Sequence, residues 1–292
     1  MRKSWIIVLL ALFWTPVALA RETITWVIFD WPPVFILQDR GSESVQQLGD
    51  GIGDQLIKML IQRLPQYQHR VVVMSPKRAF AQMKQGDNLC VPSTLRNPDR
   101  EAMALFTPAL ITMPIQLVTR EDLLQTHPDW RDGVDLETLA ADRSLVGGYE
   151  GTRSYGPSID KVLASPTNIG LRAVSGGDPN SLYQMLALKR IDYTLEYPQI
   201  VAWLAERKQL PAGIAVVPLR QPDPWLLGNV ACTKNAWGGK VIHDVDEAVR
   251  EAARQSSYRD LMTRWTPLHL REAQRRELDR FLHERATHNY VQ

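Results

Sequence analysis

Cysteine is almost absent from this chain: Cys90 and Cys232 are the only two in 292 residues. They stand too far apart for the CxxC spacing of redox sites and are too few for a zinc cluster. Histidine is nearly as scarce, confined to His69, His127, His243, His269, His283 and His288, and no H-E-x-x-H, G-x-S-x-G or P-loop pattern occurs. The usual signatures of zinc hydrolases, serine hydrolases and nucleotide-binding enzymes are therefore missing, and no metal or cofactor is expected. Neither sign of charge dominates. Lys and Arg number 34 and Asp and Glu 32, and setting aside Arg2 and Lys3 with the leader described next leaves 32 of each. That balance argues against a nucleic acid or an anionic membrane as the main partner. Sequence repeats and low-complexity linkers are lacking too, and no uncharged run after residue 20 reaches the ~20 apolar residues needed to cross a bilayer.

What is present begins with a leader. Arg2 and Lys3 precede an apolar core from Trp5 to Trp14, and Ala18-Leu19-Ala20 puts small residues where a signal peptidase reads. Residues 1–20 are expected to be a cleaved signal peptide and the mature protein periplasmic. No cysteine lies at the cleavage point, so lipid attachment is not indicated. In an oxidising compartment Cys90 and Cys232 read more naturally as a disulfide than as two buried thiols.

Along the mature chain, strand and helix signals alternate. "TITWVIF" is a strand stopped by Pro32-Pro33, because proline cannot donate to a ladder. Ile52, Leu56, Ile57, Leu60, Ile61 and Leu64 recur at helical spacing until Pro65. "HRVVVM" is a strand, Ser75-Pro76 opens a helix that ends at Gly86, and "NLCVPS" is the next strand. The pattern restarts with strands at "PIQLVTR", "SLVGGYEGT", "IDYTLE" and "GIAVVPL", separated by helices at "SYGPSIDKVLAS", "NSLYQMLALKR" and "YPQIVAWLAERKQ". After a strand at "PWLLGNVACTK", a helical tract is expected from near His243 towards Trp265, then a charge-rich terminal helix with a frayed end. Such alternation marks an α/β protein with mainly parallel layers.

Six motifs in order carry a resemblance. "GIGDQLIKMLIQRL", "SPKRAFAQMKQGD", "NPDREAMALFTPAL", "GGYEGTRSYG", "LALKRIDYTLEYPQIVAWL" and "LLGNVACTKN" with "SYRDLMTRW" resemble the successive segments of the periplasmic solute-binding proteins of family 3, the polar-amino-acid-binding type. The similarity runs over nearly all of the mature chain. It is nearest to a subset in which a cysteine replaces part of one lobe 1 strand and "C-T-K" occupies the return strand. It implies an α/β, two-lobed periplasmic-binding-protein-like fold with two crossover hinge strands. Lobe 1 would comprise residues 21–113 and 224–292, the latter ending in the C-terminal helix, and lobe 2 residues 114–223. The resemblance also implies a Cys90–Cys232 disulfide inside lobe 1.

Site residues follow by position in those motifs. Arg100 stands where the family binds a ligand carboxylate, and a guanidinium fork suits that role; pairing with Asp99 or Glu101 is the alternative. Glu196 stands where an acid meets the ligand ammonium, though a carboxylate there could also serve the helix that follows. Thr152 would hold a carboxylate oxygen or merely turn the chain. Trp31 would stack on the ligand or simply pack, and Arg78 would reach the cleft or solvate a helix start. Arg100 and Glu196 together would define a site for a zwitterion. One departure stands out: Leu95 occupies the place where the family has a hydroxyl for the ligand carboxylate, with Ser93 and Thr94 as possible substitutes.

The function implied is binding of a small polar, carboxylate-bearing, amino-acid-like solute for transport or sensing, without catalysis. An ABC-type permease or a membrane receptor would be the partner, with the protein itself a monomer. The alternatives are an enzyme on the same scaffold, dehydratase-like or cell-wall-related with Glu196 as its base, and a free sensory protein.

Overall fold

The computed structural model describes residues 21–38, 44–174, 180–220 and 225–291. The signal peptide expected over residues 1–20 lies outside them. Strands β1 (Thr23–Ile28), β2 (Gln68–Val73), β3 (Cys90–Thr94) and β4 (Ala104–Thr112) belong to one sheet. The chain then crosses and builds a second sheet from β5 (Gln116–Arg120), β6 (Gly147–Glu150), β7 (Leu171–Val174), β8 (Tyr193–Glu196) and β9 (Ile214–Val217), before β10 (Leu226–Thr233) returns to the first. The strand orders are β2-β1-β3-β10-β4 and β7-β6-β8-β5-β9. Both sheets are mixed. In the first, β1 runs parallel to β2 and β3 while β10 is antiparallel to β3 and β4; in the second, β6 is parallel to β7 and β8 while β5 is antiparallel to β8 and β9.

Helices cover these sheets. On the first pass lie α1 (Ile52–Arg63), α2 (Pro76–Gln85) and the single turn α3 (Pro98–Glu101). With the second sheet go α4 (Glu121–Thr126), α5 (Leu136–Ala141), α6 (Pro157–Leu163), α7 (Ser181–Ala187) and α8 (Pro198–Glu206). After β10 come α9 (Ala236–Ala252), α10 (Ser256–Thr263) and α11 (Leu268–Thr287). Because successive side chains of a strand point to opposite faces, Ile24, Trp26, Ile28 and Val71 enter one buried cluster with α1 and α9, while Val27 and Val72 enter another with α2. Val71 and Val72 are thus buried on opposite faces of the sheet, whereas Val73 is exposed at the strand's end.

The sequence expectation leaves α4, α5, β4 and β7 unassigned, and two helical tracts differ from it. "ALFTPALIT", which contains Pro108, is the nine-residue β4. Pro108 lies opposite Asn229, where the β4–β10 register shifts, so its missing N–H falls at an irregularity the ladder already has. Helix α9 begins at Ala236 rather than near His243, capped by Asn235, whose Oδ1 accepts from Gly238 N at 2.8 Å. Gly238 and Gly239 dilute the helical signal there, and a Cβ at Gly238 would fall 1.7 Å from the Thr233 carbonyl. The tract also breaks, with α10 restarting at Ser256. The terminal helix is well anchored: Arg285 is fully buried and its Nη2 donates to Asp246 Oδ1 at 2.9 Å, which Thr107 Oγ1 also meets at 2.5 Å.

Cys90 and Cys232 form a disulfide between directly paired residues of β3 and β10. The 142-residue interval it closes contains the whole second sheet; the return passage arrives at the bridged strand β10, and the outgoing one leaves from β4, which pairs with the other edge of β10. In the chain-entropy picture such a loop contributes roughly 4–5 kcal/mol. A Cys90→Ala/Cys232→Ala double variant should therefore lose up to about that much stability in urea unfolding of the oxidised proteins; an unchanged unfolding midpoint would show that the bridge does not constrain the unfolded chain.

Candidate functional site

A cavity of about 430 Å³ lies between the sheets. Trp31, Ser93, Thr94, Leu95 and Arg100 line it from the first, and Glu150, Thr152, Arg153, Glu196 and Gln199 from the second. Most of these residues follow or close β1, β3, β6 and β8 at their carboxyl ends, where open α/β sheets present ligand-binding groups.

Trp31 is placed by its own loop. Val34 N and Phe35 N both donate to the Trp31 carbonyl, at 2.8 and 2.9 Å. The first N–H groups of α1, which have no partner within the helix, donate back to that loop: Ile52 N to Pro33 O at 3.0 Å and Gly53 N to Val34 O at 2.8 Å. Gly53 must lack a side chain, since a Cβ would come 2.3 Å from the Phe35 ring. Asp54 completes the arrangement, its Oδ2 accepting from Ile36 N at 2.8 Å and Gly51 N at 2.9 Å. The Trp31 ring stacks on Phe29 with centroids 5.7 Å apart.

Arg100 is placed by a cap. Asn97 Oδ1 accepts from Arg100 N at 2.9 Å and Pro98 opens the turn. Its Nη1 donates to Thr94 Oγ1 at 2.7 Å and to the Leu95 carbonyl at 2.8 Å, with the guanidinium 4.8 Å from the Phe80 centroid. Glu101 pairs with Arg96 instead, and among the described residues no carboxylate lies within ion-pair distance of Arg100. Burial lowers its pKa, with Asp160 and Tyr197 opposing, but a guanidinium remains charged. The Leu95 departure thus has a local consequence: the backbone carbonyl of Leu95 and the Thr94 hydroxyl together orient the guanidinium.

Glu196 closes β8 and is almost fully buried. Both its oxygens are engaged by Arg153, with Nη2 to Oε1 at 2.7 Å and Nη1 to Oε2 at 3.0 Å, while Tyr197 N donates to Oε1 at 2.8 Å. The Arg153 guanidinium also lies 4.7 Å from the Trp31 centroid, 4.7 Å from Tyr155 and 4.8 Å from Tyr197. Burial alone would lower its pKa, but the Glu196 carboxylate and the neighbouring tyrosines outweigh that and hold it above the ordinary value. Burial also pushes Tyr197 up to about 12, so its hydroxyl stays protonated. Asp160 fixes the loop carrying Arg153 by accepting from Tyr155 N at 2.7 Å.

No protein-family model matches the sequence, and no curated protein matches it significantly. Solved structures do match. A putative L-cystine ABC transporter protein from Listeria monocytogenes is similar at 19% identity and TM-score 0.63, over 84% of this chain and 95% of that one. A histidine kinase sensor domain with similarity to periplasmic binding proteins aligns at 14% identity and TM-score 0.63, over 85% and 96%. An ancestral amino-acid-binding protein, a precursor of cyclohexadienyl dehydratase, aligns at 14% and 0.62, over 85% and 96%. The fold is that of the periplasmic binding proteins. Two mixed sheets, two crossings and a cavity between them are its elements here.

Within this periplasmic-binding-protein fold, Arg100, Glu196, Thr152 and Trp31 all line the cavity, and Arg78 does not. Arg78 is exposed in the first turn of α2, where its N–H meets Ser75 Oγ at 3.4 Å. Thr152 presents its N–H and hydroxyl to Glu150 Oε1, at 3.3 and 3.0 Å. Arg153 was not foreseen. Its partner is 43 positions away, and only the parallel pairing of β6 with β8 brings the two together.

Asp54 makes the floor of the Trp31 loop sensitive to pH. Burial raises its pKa to about 6, against the hydrogen bonds from Ile36 and Gly51, and its Oδ1 is buried without a partner. The folded state therefore binds this proton more tightly than the unfolded chain does. Its contribution is fully present below the unfolded value near 4 and is lost as pH rises through about 6. Stability should fall by up to about 2–3 kcal/mol across that window from this group. Asp54→Asn should flatten that slope in urea titrations at pH 4 and pH 7, and an unaltered slope would contradict the assignment.

Proposed function

We propose that this protein is a periplasmic solute-binding protein that encloses a small carboxylate-bearing solute between its lobes. One observation carries the reading: Arg100 faces a cavity from both sides of which polar groups converge, its guanidinium oriented by Thr94 and Leu95 and free of a carboxylate among the described residues. Charge that loses water must meet opposite charge and hydrogen bonds, and an oriented guanidinium supplies both to a carboxylate. The cavity is of the size that small-molecule sites occupy. The leader over residues 1–20 delivers the chain to the periplasm, and among the described residues no helix is long and apolar enough to cross a membrane. Delivery to an ABC-type permease or presentation to a membrane receptor both fit, as does a monomer.

Binding is favoured over catalysis by the state of Glu196. Glu196, the base of the enzyme alternative, is held in a bidentate pair by Arg153, and among the described residues no histidine lines the cavity. General acid–base work needs a group free to exchange its proton with the reacting atom.

A thermal-shift screen of small carboxylates tests the proposal. At about 100 times its dissociation constant a ligand stabilises the fold by about 2.7 kcal/mol, which such a screen resolves. Arg100→Leu should abolish the shift for every carboxylate that stabilises the parent while leaving the apo unfolding temperature nearly unchanged. A carboxylate that stabilises parent and variant equally would place its binding away from Arg100.

A further inference from the structure

The environment of Arg153 has the composition of a cation receptor. A buried carboxylate, Glu196, closes one side, and the rings of Trp31, Tyr155 and Tyr197 surround the guanidinium at 4.7 to 4.8 Å. A carboxylate with several aromatic faces is a general chemistry for holding a guanidinium or ammonium ion. Here the chain supplies that ion itself. Trp31 belongs to the first lobe and the other three groups to the second, so the receptor is complete where the lobes meet, with Trp31, Glu196 and Tyr197 on the cavity wall and Tyr155 fully buried. Glu150, on the same rim, is engaged by the N–H and hydroxyl of Thr152, whereas Arg100 has no carboxylate partner among the described residues.

We propose that Arg153 fills the cation subsite of the cleft from within, so that the cleft selects solutes by an anionic group at Arg100 and rejects those that would present an ammonium or guanidinium to Glu196. The inference rests on reading the cleft as a carboxylate site, and it narrows the ligand from a zwitterion to an anion without a cationic end there. The physical reason is competition. An incoming ammonium makes a point contact with Glu196, whereas Arg153 makes two parallel hydrogen bonds in a fixed plane and is already attached to the loop that Asp160 holds. Displacement would also leave the Arg153 guanidinium without the contacts that compensate its burial.

Methylguanidinium chloride, which carries no carboxylate, is the probe, compared with NaCl at matched ionic strength in thermal-shift and calorimetric titrations. The parent protein should not respond at low millimolar concentration. Arg153→Ala, which opens the cage, should bind the probe and rise in unfolding temperature by several degrees; if that variant is unfolded alone, recovery of the folded state in the probe is the same readout. Arg153→Ala/Glu196→Gln, which leaves no unpaired buried charge, should fold and not respond. Arg100→Leu/Arg153→Ala should respond like Arg153→Ala, which separates this inference from the carboxylate assignment of Arg100. An equal response of the parent, no response of Arg153→Ala, or a response that survives Glu196→Gln would each overturn the proposal.

Discussion

The bidentate pair between Arg153 and Glu196 is the contact on which the cleft depends. Glu196 is buried at the carboxyl end of β8, and a carboxylate there requires a counter-charge. Arg153 meets it from the loop after β6, the strand that pairs with β8 in parallel. Taking one partner from a buried pair costs about 3–5 kcal/mol, because the other charge remains. The pair therefore holds the two strand ends and the Arg153 loop as one unit. Through the contact of Arg153 with Trp31 it also reaches the opposite lobe.

Other contacts join the lobes on a smaller scale. Gln199 in α8 donates to Thr112 Oγ1 of β4 at 2.7 Å. Arg207 lies between Trp203 and Trp265, 4.1 and 5.0 Å from their centroids, and Trp265 is tied to the first lobe through Asp50 O at 2.9 Å. Apolar side chains of the first lobe, among them Trp31, Ile36, Leu95 and Trp265, also pack against the core of the second. Cation–π contacts contribute about 0.5–1 kcal/mol each when exposed and about 2 when desolvated. The disulfide, by contrast, lies within the first lobe, where it fastens β10, the strand at which the chain returns, to β3.

Much of this was legible in the sequence where the cause is local. The Ser75-Pro76 start of α2 and the apolar spacing of α1 are written in adjacent residues, and each appears in the structure. Strand β4 was not assigned, and it contains Pro108, whose cost is absorbed only because β10 shifts register opposite it. The first turn of α9 was hidden by two glycines, one of which is required by the Thr233 carbonyl. Glu196 was visible as an acid ending a strand, but its state was not, since Arg153 becomes its neighbour only through sheet pairing. The register of β6 against β8 is the signal that would have found it: continuing Gly148↔Thr194 by two residues sets Glu150 beside Glu196, and Arg153 follows three positions later.

The Arg153 guanidinium is fixed between Glu196 and three aromatic rings, and the arginine Nε–H region of a ¹⁵N-resolved NMR spectrum tests this directly. Arg153, assigned by its loss in Arg153→Lys, should give a Nε–H signal displaced upfield by ring currents, slow to exchange with water and insensitive to several hundred millimolar salt. A resonance at the ordinary arginine position, exchanging rapidly and averaged over rotamers, would contradict the account.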